Sequence, residues 1–257
     1  MTFPAGPVVE ALLRNYRGTW KATVFSQFFA PLLYLGSLGF GLGSLVEGGA
    51  RGGVGGVPYA VFVAPGLLAA TAMQTAVSES TYPVLGSVIW QRNYLAMIAT
   101  PLRVVDVLVG HLTFIGLQLL VGTAAFALVA AVVGAVRSPW VLVAVPVAVL
   151  CGLAHAAPVS AFAVRQENDQ GFAVVFRLVM VPAFLFAGTF FPLDQLPAVV
   201  RPLAWVTPLW HGTEAVRALL LGRAAALPVL AHVAYLGLWA GVGSVVALRQ
   251  YGRRLRT

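Results

Sequence analysis

Six long apolar runs alternate with short polar segments along the chain, and most of the charge sits in the polar segments. The runs cover residues 23–43, 58–77, 104–136, 140–164, 172–191 and 226–248. A helix crosses a bilayer with roughly 20 consecutive apolar residues, so each run predicts a span. The third is longer than one membrane thickness, which predicts tilt or protrusion. Gly48 to Gly53 reads as a flexible loop, Arg137-Ser138-Pro139 as a tight turn and Arg165 to Gly171 as a polar turn. The pattern predicts an all-α polytopic membrane protein: one domain, residues 1–257, with six transmembrane helices.

Three further segments do not fit the simple alternation. In residues 7–21, Val9, Leu13, Tyr16 and Trp20 follow helical spacing beside a stripe of Glu10, Arg14, Arg17 and Lys21. That moment predicts an interfacial helix lying in the headgroup region, the alternative being a basic flank to the first run. Between the second and third runs, the segment from Tyr82 to Leu102 is too polar at its centre to span and too apolar for a solvated loop. It fits a short surface helix over 84–99, bounded by Pro83 and Pro101 and pressed against membrane and partner together. Residues 192–222 carry Pro192, Pro197, Pro202 and Pro208, and Thr207-Pro208 can open a helix ending near Gly222. These are either short helices dipping partway into the outer leaflet or an ordinary external loop with turn prolines. Glu214 and Arg217, one turn apart, can pair there.

Composition sharpens this picture. AVILMFWYC residues make up 60% of the chain and charged residues 9%, with a mean hydropathy of +0.89. A soluble domain of 257 residues could not hide that much apolar surface. The net charge of +8 does not indicate nucleic-acid binding, because the basic residues are spread over membrane flanks. Eleven of the sixteen fall on one face: Arg14, Arg17, Lys21, Arg92, Arg103, Arg165, Arg177 and the four arginines of the 249–257 tail. That asymmetry puts both termini in the cytoplasm. Cys151, the one cysteine, lies inside an apolar run and reads as a small core residue. The first 20 residues hold Glu10, Arg14 and Arg17 without the short apolar core of a cleavable signal, so the first run is expected to remain as a span.

Candidate chemistry is sparse. The single lysine, Lys21, lies between Trp20 and Ala22, so the chain has no phosphate-binding Gly-Lys-Ser/Thr loop, and any ATP must be bound by a partner. His111, His155, His211 and His232 are scattered, and one cysteine cannot build a thiolate site, so neither a catalytic nor a metal site is expected. His211 and Glu214 can share a local hydrogen bond on one helix face. Ion-coupled transport needs ionisable groups deep in the membrane. Glu79, Asp106, Glu167, Asp169 and Asp194 all lie near run ends, and His155 alone sits near mid-span, where hydrogen bonding to a neighbouring helix also explains it. Gly39 with Gly43 and Gly237 with Gly241 have the spacing of close helix packing. A secondary transporter or channel, or a non-transporting membrane anchor for a cytoplasmic ATPase, is the alternative to a pumped permease.

Four motifs in order carry a family resemblance: Phe62-Val63-Ala64-Pro65-Gly66, Met97-Ile98-Ala99-Thr100-Pro101-Leu102, Phe191-Pro192-Leu193-Asp194-Gln195-Leu196-Pro197, and Thr207-Pro208-Leu209-Trp210-His211-Gly212 with Glu214 and Arg217-Ala218-Leu219. Over essentially its full length the chain resembles the transmembrane subunit of ABC-2-type exporters, in the branch of nodulation lipo-oligosaccharide and daunorubicin-resistance exporters. The resemblance implies a dimer, with a second copy or a paralogue, in the bacterial cytoplasmic (inner) membrane. Two separate ATP-binding subunits would hold the ATP and Mg, and no cofactor would sit in this chain. It makes 84–99 the coupling helix, with Leu85, Val88, Trp90, Gln91, Arg92 and Asn93 facing the ATPase, and Arg165, Glu167 and Asp169 a second contact. The 192–222 hairpin, with Asp194, His211, Glu214 and Arg217, would close the outer side of the path. Phe25, Phe28, Phe29 and Tyr34 are the expected path-lining residues near the dimer seam. The expected cargo is an amphipathic, lipid-linked or hydrophobic drug-like molecule.

Overall fold

The computed structural model describes residues 5–18, 21, 25, 29, 32–43, 54 and 56–256. The 48–53 loop, Phe28 and most of the first run before residue 32 lie outside the described residues. Among the described residues the fold is helical: α1 (Gly6–Tyr16), α2 (Leu35–Leu42), α3 (Tyr59–Glu79), α4 (Tyr82–Leu85, widening into a π-type turn over Gly86–Trp90), α5 (Asn93–Ile98), α6 (Val104–Val132), α7 (Val141–Ala163), α8 (Phe172–Phe186), α9 (Arg201–Val206), α10 (Pro208–Leu220) and α11 (Ala226–Leu255).

Four of these are long and apolar enough to cross a membrane: Tyr59–Trp90 taken together, α6, α7 and α11. The six-span expectation is therefore met in part. At about 1.5 Å per residue, α8 falls short of a bilayer core of roughly 30 Å. Its chain reverses at Gly188, whose φ of +74° suits a residue without a Cβ, so the helix stops well before residue 191. Gly134 likewise ends α6 at Val132 rather than 136. It sits at φ +77°, and the Ala135 N–H reaches back to the Ala130 carbonyl, a left-handed cap that satisfies the last turn. At the other end of α6, the Asp106 carboxylate accepts from the Arg103 backbone N–H at 2.9 Å and caps the helix start. The last helix runs the other way, past its predicted end. Tyr251 and Leu255, one turn apart, are both buried, so the 249–257 tail is helical to Leu255.

The helix α7 is central, packing on α3, α6, α10 and α11. The crossing with α11 is close because Gly243 lies on Pro158, where a Cβ would come within 2.7 Å of the proline Cδ. Gly237 and Gly241, the pair with the expected packing spacing, meet nothing within 4 Å. Cys151 is buried in the main core, beneath Gly212 of α10. That core joins α3, α6, α7 and α10 through residues such as Leu67, Leu68, Phe126 and Leu209. A second core lies at the arginine-rich end, where Val84, Leu85, Tyr94, Val107, Phe172 and Tyr251 meet.

The N-terminal helix ends at Tyr16, earlier than the predicted 21, and is rotated from the expected stripe. Val8 is fully buried against Gly110 of α6, and the Tyr16 ring stands edge-on to Phe114 at 5.8 Å. Leu13, expected on the inner stripe, is 41% exposed. Packing on α6 therefore sets its orientation, while Glu10 and Arg14 pair on the outer face at 2.6 Å.

Candidate functional site

At the arginine-rich end the chain leaves α3, turns through α4 and breaks at Arg92 before α5 begins. Arg92 has φ +54°, a left-handed conformation that a continuous helix does not contain. The predicted single helix over 84–99 is thus two short arms meeting at an exposed corner. Trp90 at that corner is 64% exposed, and Gln91 and Arg92 are exposed beside it. Asn93 braces the corner by donating to the Gln91 side-chain oxygen at 2.8 Å. Leu85 and Val88, expected to face an ATPase, are instead buried in this chain's own second core. An amphipathic segment has one apolar face, and here that face is spent on the ends of α6, α7 and α11.

Tyr94, on the second arm, was not among the expected functional residues. It is fully buried, its hydroxyl lies 2.9 Å from His111 Nδ1 of α6, and its ring lies 5.9 Å from that of Tyr251 on α11. It pins the corner to two spanning helices. The only sign in the sequence is a histidine early in an otherwise apolar run, which must find a partner when buried. Replacing Tyr94 by phenylalanine removes the hydroxyl and leaves the buried His111 nitrogen unpaired, at a cost of about 1–2 kcal/mol. The expected result is a lowered melting temperature of the purified protein, with faster amide exchange across 93–98.

The second expected contact, Arg165 with Glu167 and Asp169, lies in an exposed turn at the same end. The Asp169 carbonyl accepts from the Phe172 N–H at 3.0 Å, and the Phe172 ring packs edge-on against Tyr82 of α4 at 5.0 Å. The turn and the corner therefore share one base.

The hairpin end holds a more elaborate polar cluster. Arg217 of α10 is buried and forms an ion pair with Glu214, as its spacing predicted. It also donates through Nη2 to the Gly188 carbonyl at 2.6 Å, and its guanidinium lies 4.3 Å from the centre of the Phe62 ring on α3. Next to Gly188, the Thr189 backbone packs directly on Gly66, leaving no room for a Cβ. The Phe62-to-Gly66 motif is thus the seat for the loop after α8, and Arg217 is the clasp. Asp194 is exposed in a short 3₁₀ turn over Leu193–Gln195, where its carbonyl and that of Leu196 accept from the Arg201 guanidinium.

His211 does not bond Glu214. Its Nε2 lies 2.9 Å from the Trp205 carbonyl and its Nδ1 lies 2.8 Å from His232 Nδ1 of α11. A carbonyl can only accept, so Nε2 carries the proton and a neutral His211 accepts from His232 through Nδ1. Burial lowers the proton affinity of His211, opposed by the Trp205 carbonyl and reinforced by His232. The partner of His155 is its own helix: the Cys151 carbonyl, 2.8 Å away, accepts from Nδ1. Of the expected path residues, Phe25 and Phe29 are exposed and stacked on one another at 5.3 Å, and Tyr34 packs against the main core. Among the described residues no group of three or more His, Cys, Asp or Glu could hold a metal ion.

Comparison with known proteins identifies the family. The profile of the ABC-2 type transporter family matches residues 8–221. Nodulation protein J of Rhizobium leguminosarum bv. trifolii is 33% identical over 246 residues, covering 94% of this chain and 91% of that protein. Its counterpart in R. leguminosarum bv. viciae is 32% identical, over 99% of this chain and 98% of that protein. Nodulation protein J of Sinorhizobium fredii is 30% identical, over 98% and 96%. With long apolar helices, a family match across most of its length and relatives of 30–33% identity over nearly the whole chain, the chain belongs to the ABC-2 type transporter family, as a multi-pass, non-catalytic permease subunit.

Proposed function

We propose that this permease moves an amphipathic, lipid-linked or hydrophobic drug-like molecule outward across the bacterial cytoplasmic membrane. A separate ATP-binding subunit, holding ATP and Mg, docks on the Trp90-Gln91-Arg92 corner and on the turn from Arg165 to Asp169. A second copy of the chain, or a paralogue, completes the path, with both termini in the cytoplasm and the hairpin outside.

The observation that carries this reading is the corner itself. An exposed tryptophan beside an exposed arginine is the composition of an interface anchor. Directly behind it, Val84, Leu85, Val88 and Tyr94 are packed into the ends of the spans. A packed core transmits displacement rather than absorbing it, so a push on Trp90 and Arg92 moves α6 and α11. ATP can shift the spans only if the docked subunit contacts the corner differently in its two states.

Arg92→Glu reverses the charge without touching the buried side of the corner. Co-purification of the ATP-binding subunit with this variant is expected to fall about tenfold, the equivalent of roughly 1.4 kcal/mol of contact energy. The amount of permease in the membrane should stay unchanged. Wild-type recovery of the ATP-binding subunit with Arg92→Glu and Trp90→Ala combined would refute the docking assignment.

A further inference from the structure

Two cavities lie along one seam of the bundle and share a wall. The larger, about 660 Å³, is bounded by α3, α7, α8, α9 and α11 and has an apolar lining that includes Ala154, Leu178, Ala183, Leu203 and Trp239. The smaller, about 480 Å³, lies between α7 and α11 at the arginine-rich end, where Arg165, Gln166 and Gln250 stand over Phe162 and Val246. Pro158 and Phe162 border both cavities. From Ala154 to Gln166 the seam follows α7 and the turn after it for about 18 Å, close to the roughly 15 Å hydrocarbon depth of one leaflet.

The two halves together describe one ligand. An apolar trough alone takes any alkyl chain, and an arginine alone takes any anion. Here a cation and two amides stand at one end of a trough as long as a leaflet is deep. A guanidinium binds phosphate through paired N–H donors, and Gln166 spends its own donor on only a long 3.4 Å bond to the Phe162 carbonyl. A helix from another chain, of the same length and about 10 Å across, would displace on the order of 1,400 Å³. That exceeds the two cavities combined, whereas an alkyl chain is slender enough to enter.

We propose that this seam is a binding site for an anionic phospholipid of the inner leaflet. Its phosphate sits at Arg165 with the Gln166 and Gln250 amides, and one acyl chain runs past Phe162 into the larger cavity. The exposed carboxylates of Glu167 and Asp169 do not line the niche and remain turned to the cytoplasm for the docked partner. The lipid then fills space between α7, α8 and α11 that the described side chains leave open, and ties the second docking turn to the membrane surface.

The test uses the full chain in phosphatidylcholine nanodiscs carrying a trace of phosphatidylglycerol with a diazirine midway along one acyl chain. After illumination, labelling is expected to concentrate on the α7 stretch 154–162 and on Trp239. Unlabelled phosphatidylglycerol should compete about fivefold better than phosphatidylcholine, and Arg165→Gln should reduce labelling about fivefold, the equivalent of roughly 1 kcal/mol. Ala183→Phe, which projects a ring into the larger cavity, should reduce labelling at Trp239 while leaving the exposed Leu117 and Leu238 labelled as before. Equal labelling of Leu117, Leu238 and the seam, or no change with Arg165→Gln, overturns the proposal. Labelling that disappears only when ATP and the ATP-binding subunit are added would assign the seam to cargo, and the resident phospholipid would be wrong. None of these readouts depends on export, so failure here leaves the docking assignment untouched.

Discussion

Arg217→Ala is expected to destabilise the protein by about 2–3 kcal/mol, because it strips the buried Gly188 carbonyl of a charged donor and empties the space the guanidinium fills against Phe62. Three contacts are lost together: the Glu214 carboxylate, the Gly188 carbonyl and the Phe62 ring. The effect should be local before it is global. Amide exchange and protease cleavage should rise first around residues 187–192, the segment held by the clasp, while α6 and α7 stay protected. Adding Glu214→Ala should change little further, because the Glu214 side chain is 36% exposed and water can solvate its carboxylate, and Arg217→Lys should recover only part of the loss, since an ammonium cannot reach two acceptors in a fork. A melting temperature for Arg217→Ala within one degree of wild type would show that the hairpin is held by something else.

Gly66→Leu is expected to be nearly as damaging, for the opposite reason. A Cβ on residue 66 would stand 2.8 Å from Thr189 Cα and 3.0 Å from its carbonyl oxygen, so the obstacle is backbone rather than a flexible side-chain end. Overpacking of this kind costs about 1–3 kcal/mol, and leucine belongs at the upper end. Because the Thr189 backbone is kept in place by the Arg217 bond to Gly188, the two substitutions should not add. In an Arg217→Ala background the loop can retreat and the cost of Gly66→Leu should shrink by half or more. Strict additivity in thermal unfolding would mean that Gly66 and Arg217 do not act on the same loop.

Short-range features of this fold were readable from the residue order, and long-range pairings were not. The Glu214–Arg217 pair follows from helical spacing alone, and the Arg137-Ser138-Pro139 turn follows from its breakers. Apolar length located α6, α7 and α11 to within a few residues at most ends. It misplaced the end of α11 because hydropathy counts apolar residues, while the helix persists through arginines that are good helix formers and through Tyr251 and Leu255 on its inner stripe. It overextended α6 and α8 because neither left-handed glycine, Gly134 nor Gly188, registers as a break in an apolar window.

The candidate sites divide in the same way. Trp90, Gln91 and Arg92 lie exposed at one corner, but an amphipathic segment does not announce which of its faces the chain keeps for itself. Leu85 and Val88 fall on the kept face. Tyr94 with His111 and His211 with His232 join separate helices, and no local spacing encodes which distant helix will arrive. The same holds for the seam between α7 and α11, whose polar and apolar halves become adjacent only once Val246 and Gln250 are packed beside Phe162 and Arg165.

The lone thiol, at Cys151, is fully enclosed beneath Gly212, out of contact with water. The wild-type chain is therefore its own blank for sulfhydryl reagents, and no cysteine-free background has to be built. A single cysteine placed at Trp90, Glu167 or Asp194 can be read directly with a membrane-impermeant maleimide on intact cells and on inverted vesicles, giving the sidedness of corner, turn and hairpin from one reporter each.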